Sequence, residues 1–313
     1  MGSSADENKP PAVPAGEPPA LYASDPDEPQ RLARLLDSPS YVLAFDDHEF
    51  IMKHDLRSVR LQIELMKPEL SLRAHRIRST IVVFGGTRIT APDVARARVE
   101  ALEKERQEHG PSPELEKRLA VARRVLAKAR YYEEAREFGR LASKLGQTAI
   151  SRDWVVVTGG GPGIMEAANR GAFDVGARSI GLNITLPHEQ HPNSYITPDL
   201  CFRFHYFAIR KMHFMLRAKA LVAFPGGYGT FDELFEALTL LQTHKMRALP
   251  VVLVGREFWE NAVNFRYLVE EGTISEEDLQ LFRFAETAAE AWDIVQSYHA
   301  RPKSQNSGPE RRP

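Results

Sequence analysis

The sequence predicts an α/β protein: a parallel sheet with helices on both faces, carrying a helical cap at its amino end and an inserted helical hairpin. Three observations lead there. Short apolar runs recur at 80–84, 154–158, 179–184, 221–224 and 251–254, and near-continuous hydrophobic strands of this length suit a sheet buried on both sides. Helical stretches separate them, the alternation of a crossover-connected sheet. Two of the strands, and a third junction of similar form, run into Gly-rich turns, where open α/β sheets hold their ligands.

Taken in order, residues 1–29 are rich in Pro, Glu, Asp, Ala and Ser, a composition that predicts a disordered tail; 301–313 reads the same way. Residues 30–76 are expected to form the cap, with helices at 30–36 and 58–66. In the second, Val59, Ile63 and Met66 share a helical face before Lys67-Pro68 ends it, although Leu61 and Leu65 also fit a strand-like alternation. The main domain spans 77–300. Charged helices at 93–107 and 113–146 meet around His109-Gly110-Pro111-Ser112. One crossover helix would suffice between the first two strands, so 131–145 is read as that crossover and 91–130 as the insert. Its charges form either a solvated face or a partner surface. Further helices are predicted at 164–175, 209–220, 231–242 and 258–270; Ser275 opens another, and 287–298 closes the domain.

Composition narrows the function classes. The chain has 313 residues, 43% of them hydrophobic, and a formal net charge of -1. That is enough apolar material for one substantial core and too little charge asymmetry to steer the protein toward nucleic acid or an anionic membrane. The single Cys201 cannot form an internal disulfide, consistent with a reducing compartment. There is no long apolar stretch and no signal-peptide pattern. The expectation is a cytoplasmic protein with no membrane and no nucleic-acid partner.

The most informative segment runs from Leu221 through Pro225-Gly226-Gly227-Tyr228-Gly229-Thr230 to Glu233. An apolar strand stops at proline, glycines turn the backbone, and threonine opens a helix. Such a turn aims backbone N–H groups at one point, and the helix dipole adds positive potential, which together hold an anion such as phosphate. Glu233 then stands in the first helical turn beside whatever the phosphate carries. The same residues also fit close helix–sheet packing with an ordinary capping box. A second turn, Thr158-Gly159-Gly160-Gly161-Pro162-Gly163, weighs against that alternative, since each ordered glycine costs chain entropy. At a third junction, Phe84-Gly85-Gly86-Thr87-Arg88, Thr87 and Arg88 offer a hydroxyl and a cation to the same region.

Several chemistries are excluded. No Gly-x-x-x-x-Gly-Lys-Ser/Thr occurs, which argues against a P-loop hydrolase. In the Gly159 turn the third glycine of a dinucleotide fingerprint is replaced by Ile164, and Asn183 stands where the ribose-binding acid belongs. No Cys/His cluster has metal-ligand spacing, and His188 and His191 are read as solvated. No metal and no cofactor are expected.

Arg210 and Lys211 fall near the amino end of a helix, a poor place for cations on dipole grounds. Either an anionic ligand or Glu233 compensates them, or they are two surface cations whose stems lie along the helix. An anion cradle, one carboxylate, an arginine and a second Gly-rich wall fit N-glycosidic cleavage of a nucleoside monophosphate. A carboxylate there stabilises an oxocarbenium-like transition state and orients or deprotonates water. Binding of a sugar phosphate without turnover fits the same set. Glu166 is either an acceptor for a ribose hydroxyl or a helix N-terminal acid. Tyr228 shapes the turn or packs over the ligand. Phe207 and Met212 are read as core-facing, with lining of a base site as the alternative.

The run from Gly159 to Ala168, together with Arg210-Lys211 and Pro225-Gly226-Gly227-Tyr228-Gly229-Thr230-Phe231-Asp232-Glu233, resembles the Lonely Guy (LOG) family, long labelled lysine decarboxylases. The resemblance covers 77–299. It implies a Rossmann-like fold, a homodimer or higher homo-oligomer, and hydrolysis of nucleoside 5′-monophosphates, AMP or cytokinin riboside monophosphates, to free base and ribose 5-phosphate. Carried onto this chain, Arg210 and Glu233 match the catalytic pair, and Gly226, Gly227, Gly229 and Thr230 the phosphate-binding turn. Thr87, Gly160, Gly161, Glu166 and Lys211 complete the expected substrate site. Ala208 stands where short plant-type members carry His, and the turn ends Ile164-Met165-Glu166 rather than Leu-Met-Gly. With the cap and insert, these departures point to the larger bacterial branch. Related folds carry molybdopterin-type cofactors without turning them over. A carrier and a nucleotide sensor are therefore the competing readings.

Overall fold

The computed structural model describes residues 27–148, 150–186 and 191–300. The expected tails lie outside these residues, except at 27–29, where the first helix already begins; His188 lies outside them too. Residues up to Val59 and from Arg60 onward form two compact units. The first contains helices α1 (Glu28–Leu36) and α2 (His48–Met52), short 3-10 turns at Pro39–Tyr41 and His54–Leu56, and the opening of α3 (Arg57–Ala74). The helix expected at 30–36 is thus present and starts two residues earlier.

The second unit is built on seven strands, β1 (Thr80–Phe84), β2 (Val155–Thr158), β3 (Ser179–Ile184), β4 (Cys201–Phe204), β5 (Ala218–Ala223), β6 (Val251–Val254) and β7 (Phe282–Ala285). They form one sheet in the order β4-β3-β2-β1-β5-β6-β7, and every pairing is parallel. The order reverses at β1, which pairs with β2 on one side and β5 on the other. The crevice beyond the carboxyl ends of β1 and β5 is therefore the topological switch point, where such sheets bind ligands.

Alternation along β1 divides the core between the two faces. Val82 and Phe84 join one cluster with Phe214, Leu234 and Trp259, while Ile81 and Val83 join another with Phe138, Ile164 and Trp292. The first face is covered by α3, α8 (Phe207–Leu216), α9 (Tyr228–Gln242), α10 (Arg256–Ala262) and α11 (Phe265–Glu270). The second is covered by α6 (Arg130–Ser143), α7 (Ile164–Asp174) and α12 (Ala288–Ala300). The insert is a hairpin of α4 (Pro92–His109) and α5 (Pro113–Lys128) with its own small core of Val99, Leu102, Leu115, Leu119 and Ala122.

Four expectations are corrected. Helix α3 does not end at Pro68 but runs through it to Ala74. Pro68 and Leu72 are buried, and Leu61 and Leu65 pack on the core, so burial outweighs the one hydrogen bond that proline forfeits. The helix expected over 209–220 stops at Leu216, because Ala218 onward pairs with β1. The single helix expected at 258–270 is two, α10 and α11, separated where Val263 turns to extended backbone. Ser275 opens a 3-10 helix, Glu276–Leu281, with a capping box closed by Asp278. Strands β4 and β7 were not anticipated.

Candidate functional site

Three Gly-rich turns meet at the switch point and are tied to one another by main chain. Gly86 N–H donates to the Pro225 carbonyl at 2.9 Å, and Ile164 N–H donates to the Gly86 carbonyl at 3.2 Å. The turns after β1, β2 and β5 thus share one residue, Gly86.

The turn after β5 leads directly into α9. Gly227 is the N-cap and supplies no side-chain acceptor, so the amino end of this 15-residue helix keeps N–H groups and positive dipole potential facing outward. Thr230 is buried, and its N–H donates to the Gly227 carbonyl at 2.9 Å. A Cβ at Gly226 would fall onto Thr230 Oγ1 and lie 3.0 Å from Gly86 N, whereas one at Gly227 or Gly229 meets nothing within 4 Å. Gly226 is thus required by packing, and the open side of the turn lies over Gly227 and Gly229. Tyr228, between them, is 96% exposed: it stands over the turn rather than packing into it.

Because α9 starts at Tyr228 and not at Thr230, Glu233 stands in its second turn rather than the expected first, and it is 2% exposed. Its Oε1 accepts from Arg210 Nη2 at 2.8 Å, while its Oε2 is buried without a partner. Burial pushes this carboxyl above its ordinary range, opposed by the hydrogen bond and charge of Arg210 and by the charge of Lys211, and abetted by Glu236. Arg210 lies between the rings of Phe207 and Phe214, its guanidinium carbon 5.3 and 5.4 Å from the centroids. Its Nε is likewise buried and unpartnered. A carboxylate oxygen and a guanidinium N–H are therefore both left for a third party, in a low-dielectric setting that strengthens any bond they make.

Lys211 is held elsewhere. Its ammonium contacts Asp232 Oδ1 at 2.7 Å and Glu236 Oε2 at 3.1 Å. Burial disfavours its charge, but these two carboxylates prevail and raise its pKa. Neither cation of α8 is thus a solvated surface charge. Phe207 and Met212 are about half exposed, which corrects the core-facing reading; Phe207 packs its ring against Arg210 instead.

The second turn is fixed by a polar network inside the sheet's end. Thr158 Oγ1 donates to Asn169 Oδ1 at 2.7 Å and accepts from Gly160 N at 3.0 Å. Asn193 Nδ2 reaches both Asn169 Oδ1 (3.0 Å) and the Gly161 carbonyl (3.1 Å). Gly160 has φ 73°, and a Cβ there would run into the Asn183 amide. Asn183 thus buttresses the loop from behind. Gly160 and Gly161 are both buried, and their carbonyls are taken up by Asn193. Glu166 accepts from the Tyr132 hydroxyl on α6 at 2.8 Å, so in this structure it acts as a helix N-terminal acid with a packing partner. Burial, with help from Glu166, pushes the Tyr132 hydroxyl up to about 12. Thr87 is exposed on the turn after β1, with its carbonyl close to Gly163.

Residue-by-residue reading missed Glu64, whose carboxylate Oε1 accepts from the backbone N–H groups of His205 and Tyr206 at 2.9 and 2.8 Å. It also missed Asn169 and Asn193. Asn169 carried a usable signal, a polar residue beside Ala168 on a helix face of small side chains; Glu64 carried none. Among the described residues, no cluster of His, Cys, Asp and Glu could hold a metal ion, and no helix is long and apolar enough to cross a membrane.

Residues 165–295 match the family described as "Possible lysine decarboxylase". Cytokinin riboside 5′-monophosphate phosphoribohydrolase LOG1 of Arabidopsis thaliana is 30% identical over 165 residues, covering 51% of this chain and 76% of that protein. LOG3 of the same plant is 30% identical over 162 residues, with 50% and 74% coverage. The probable rice enzyme LOGL3 is 29% identical over 173 residues, with 50% and 75% coverage. Among solved structures, the Moco carrier protein of Chlamydomonas reinhardtii is 22% identical with a TM-score of 0.42, covering 71% of this chain and 98% of that one. The matched segment contains Arg210, the Pro225–Thr230 turn and Glu233, the residues that carry the site's geometry. This chain belongs to the LOG family.

Proposed function

We propose that the protein hydrolyses the N-glycosidic bond of nucleoside 5′-monophosphates, AMP or a cytokinin riboside monophosphate among them, to free base and ribose 5-phosphate. The observation that carries this reading is Glu233: a buried carboxylate, held at one oxygen by Arg210 and free at the other, one turn inside a helix whose amino end is an open anion cradle. In this reading Gly226, Gly227, Gly229 and Thr230 hold the 5′-phosphate, and the remote phosphate supplies binding energy that orients the ribose. Glu233 Oε2 faces the sugar, stabilises positive charge developing at the anomeric carbon, and orients or deprotonates the attacking water. Arg210 fixes the carboxylate and keeps it ionised against burial. Thr87 and the backbone of Gly160 and Gly161 form the opposite wall. Lys211 supports the pair through Asp232 and Glu236.

The protein is further read as a homo-oligomer. Ile63, Met66 and Leu70 on α3 and Phe207, Met212 and Leu216 on α8 are all exposed, more apolar surface than isolated exposed residues account for, and a second copy would cover it. Light scattering on the purified protein tests this point.

The decisive experiment incubates the protein with AMP and assays adenine and ribose 5-phosphate, with Glu233→Gln in parallel. Products from the wild type and none from the variant are expected. No product from AMP or from a panel of other monophosphates, including isopentenyladenosine monophosphate, would overturn the reading in favour of a carrier or sensor.

A further inference from the structure

We propose that Glu64 is a positioning residue for Arg210, a role that rests on the glycosidase reading above. Helix α8 begins without a cap of its own, since its N-cap residue Tyr206 makes no side-chain capping bond. Glu64, on α3 and more than a hundred residues earlier in the chain, takes that place: one carboxylate oxygen accepts from two successive backbone N–H groups, His205 at 2.9 Å and Tyr206 at 2.8 Å. The Tyr206 N–H is a donor that the helix cannot satisfy internally, and the His205 N–H belongs to the residue just before the cap.

Charge and geometry make this more than a cap. The first turn of α8 holds no acidic residue, yet Arg210 and Lys211 follow close behind, where the helix dipole disfavours cations. Glu64 places its negative charge at that end and offsets both. It also fixes the start of the helix in space. Arg210 lies one turn beyond Tyr206 and donates its own N–H to the Tyr206 carbonyl at 3.2 Å. Tyr206, whose N–H Glu64 grips, is therefore the residue whose carbonyl holds Arg210.

Two further ties hold α3 against α8 downstream. His213 Nε2 lies 3.1 Å from the Leu65 carbonyl, and Arg217 is paired with Glu69 through both of its terminal nitrogens. These secure the middle and carboxyl end of the helix. Of these three ties from α3, the one made by Glu64 lies nearest the Arg210–Glu233 pair, so its loss leaves the first turn of α8 held to α9 through Arg210 and Lys211 but no longer set against α3 at that end. A displacement of about 1 Å in a catalytic group costs up to about a hundredfold in rate.

The test compares Glu64→Gln, which keeps an acceptor oxygen in place, with Glu64→Asp, which keeps the charge but withdraws it by one methylene. Glu69→Ala serves as a control that cuts the other tie. Each is assayed for kcat and KM with AMP, for melting temperature, and for amide exchange at 205 and 206. Expected results are a kcat lowered about tenfold or more in Glu64→Asp, with KM changed less than about threefold. Glu64→Gln should stay within about threefold of wild type, and Glu69→Ala should lose thermal stability without the kcat loss. Equal kcat loss in Glu64→Gln and Glu64→Asp, no loss in Glu64→Asp, or a matching kcat loss in Glu69→Ala would overturn the proposal. Absence of turnover in the wild type would overturn the glycosidase reading alone. The side-chain N–H resonances of Arg210 then decide: a shift in Glu64→Asp with retention in Glu64→Gln supports positioning, and no shift in either overturns it.

Discussion

Arg210 and Glu233 meet at 2.8 Å from two different helices, and each keeps one buried polar atom unpaired, Nε on the arginine and Oε2 on the glutamate. A pair optimised for stability alone would satisfy both atoms. Buried ion pairs seldom repay their desolvation, and this one leaves hydrogen-bonding capacity unused in the protein interior.

Glu233 sets the pH dependence. Its pKa is raised above the unfolded value, so the native state binds the proton more tightly across the window between the two. Stability therefore falls as pH rises through that window, the reverse of a salt-bridged surface carboxylate. Glu69, Asp153 and His213 add slopes of the opposite sign to both proteins, so the check is the difference: the stability of the wild type relative to Glu233→Gln, from urea unfolding, should fall as pH rises through that window. The acid limb of kcat/KM should lie above the usual carboxylate range, since the carboxylate is the working form.

Arg210→Ala removes the cation but leaves the carboxylate buried. The expected cost is about 3 kcal/mol in denaturant unfolding, within the range for breaking a buried pair. The acid limb of the pH–rate profile should move to still higher pH, because the lowering influence of the guanidinium is gone. An unmoved acid limb would show that Arg210 does not govern the ionisation of Glu233.

Two glycines of the turn after β5 should separate stability from binding. Gly226→Ala pushes a methyl group into Thr230 and toward Gly86, and should destabilise by about 1–3 kcal/mol, as overpacking does. Gly229→Ala meets no atoms and lies within the first turn of α9. It should leave stability unchanged or raise it by up to about 1 kcal/mol, while KM for the monophosphate rises because the methyl occupies the ligand's approach. Thermal melts and steady-state kinetics on the two variants decide this.

Gly160→Ala places a side chain at positive φ and against Asn183. Strain of this kind costs about 1–3 kcal/mol, with more lost if Thr158, Asn169 and Asn193 are pried apart. Asn169→Leu, which empties that network of its central acceptor, should be comparably destabilising, as a chemical denaturation curve would show.

The central strands were legible from their apolar runs, except for the start of β5, where Ala218-Lys219-Ala220 also continues a helical pattern. The two edge strands were not. Phe202-Arg203-Phe204 and Phe282-Arg283-Phe284 each interrupt an apolar run with arginine, which reads as loop yet is how an edge strand discourages pairing with another chain. The Gly-rich turns, Arg210 and Glu233 were legible as well, since their spacing is local and encodes their geometry. Glu64 was not, because a carboxylate that caps a helix 141 residues away leaves no trace in its own neighbourhood. The identity of Lys211's partners was hidden for the same reason: only the crossing of α8 and α9 brings Asp232 and Glu236 to it.

The shared residue Gly86 has a consequence for how such a site can diverge. Its ties to Pro225 and Ile164 run through N–H and C=O groups, so exchanging neighbouring side chains does not sever them, and among single replacements only proline abolishes the donated bond. The anchoring frame is insulated from drift in the residues around it. Half-exposed positions such as Phe207 and Met212 lie outside that frame, so exchanges there leave both main-chain ties in place.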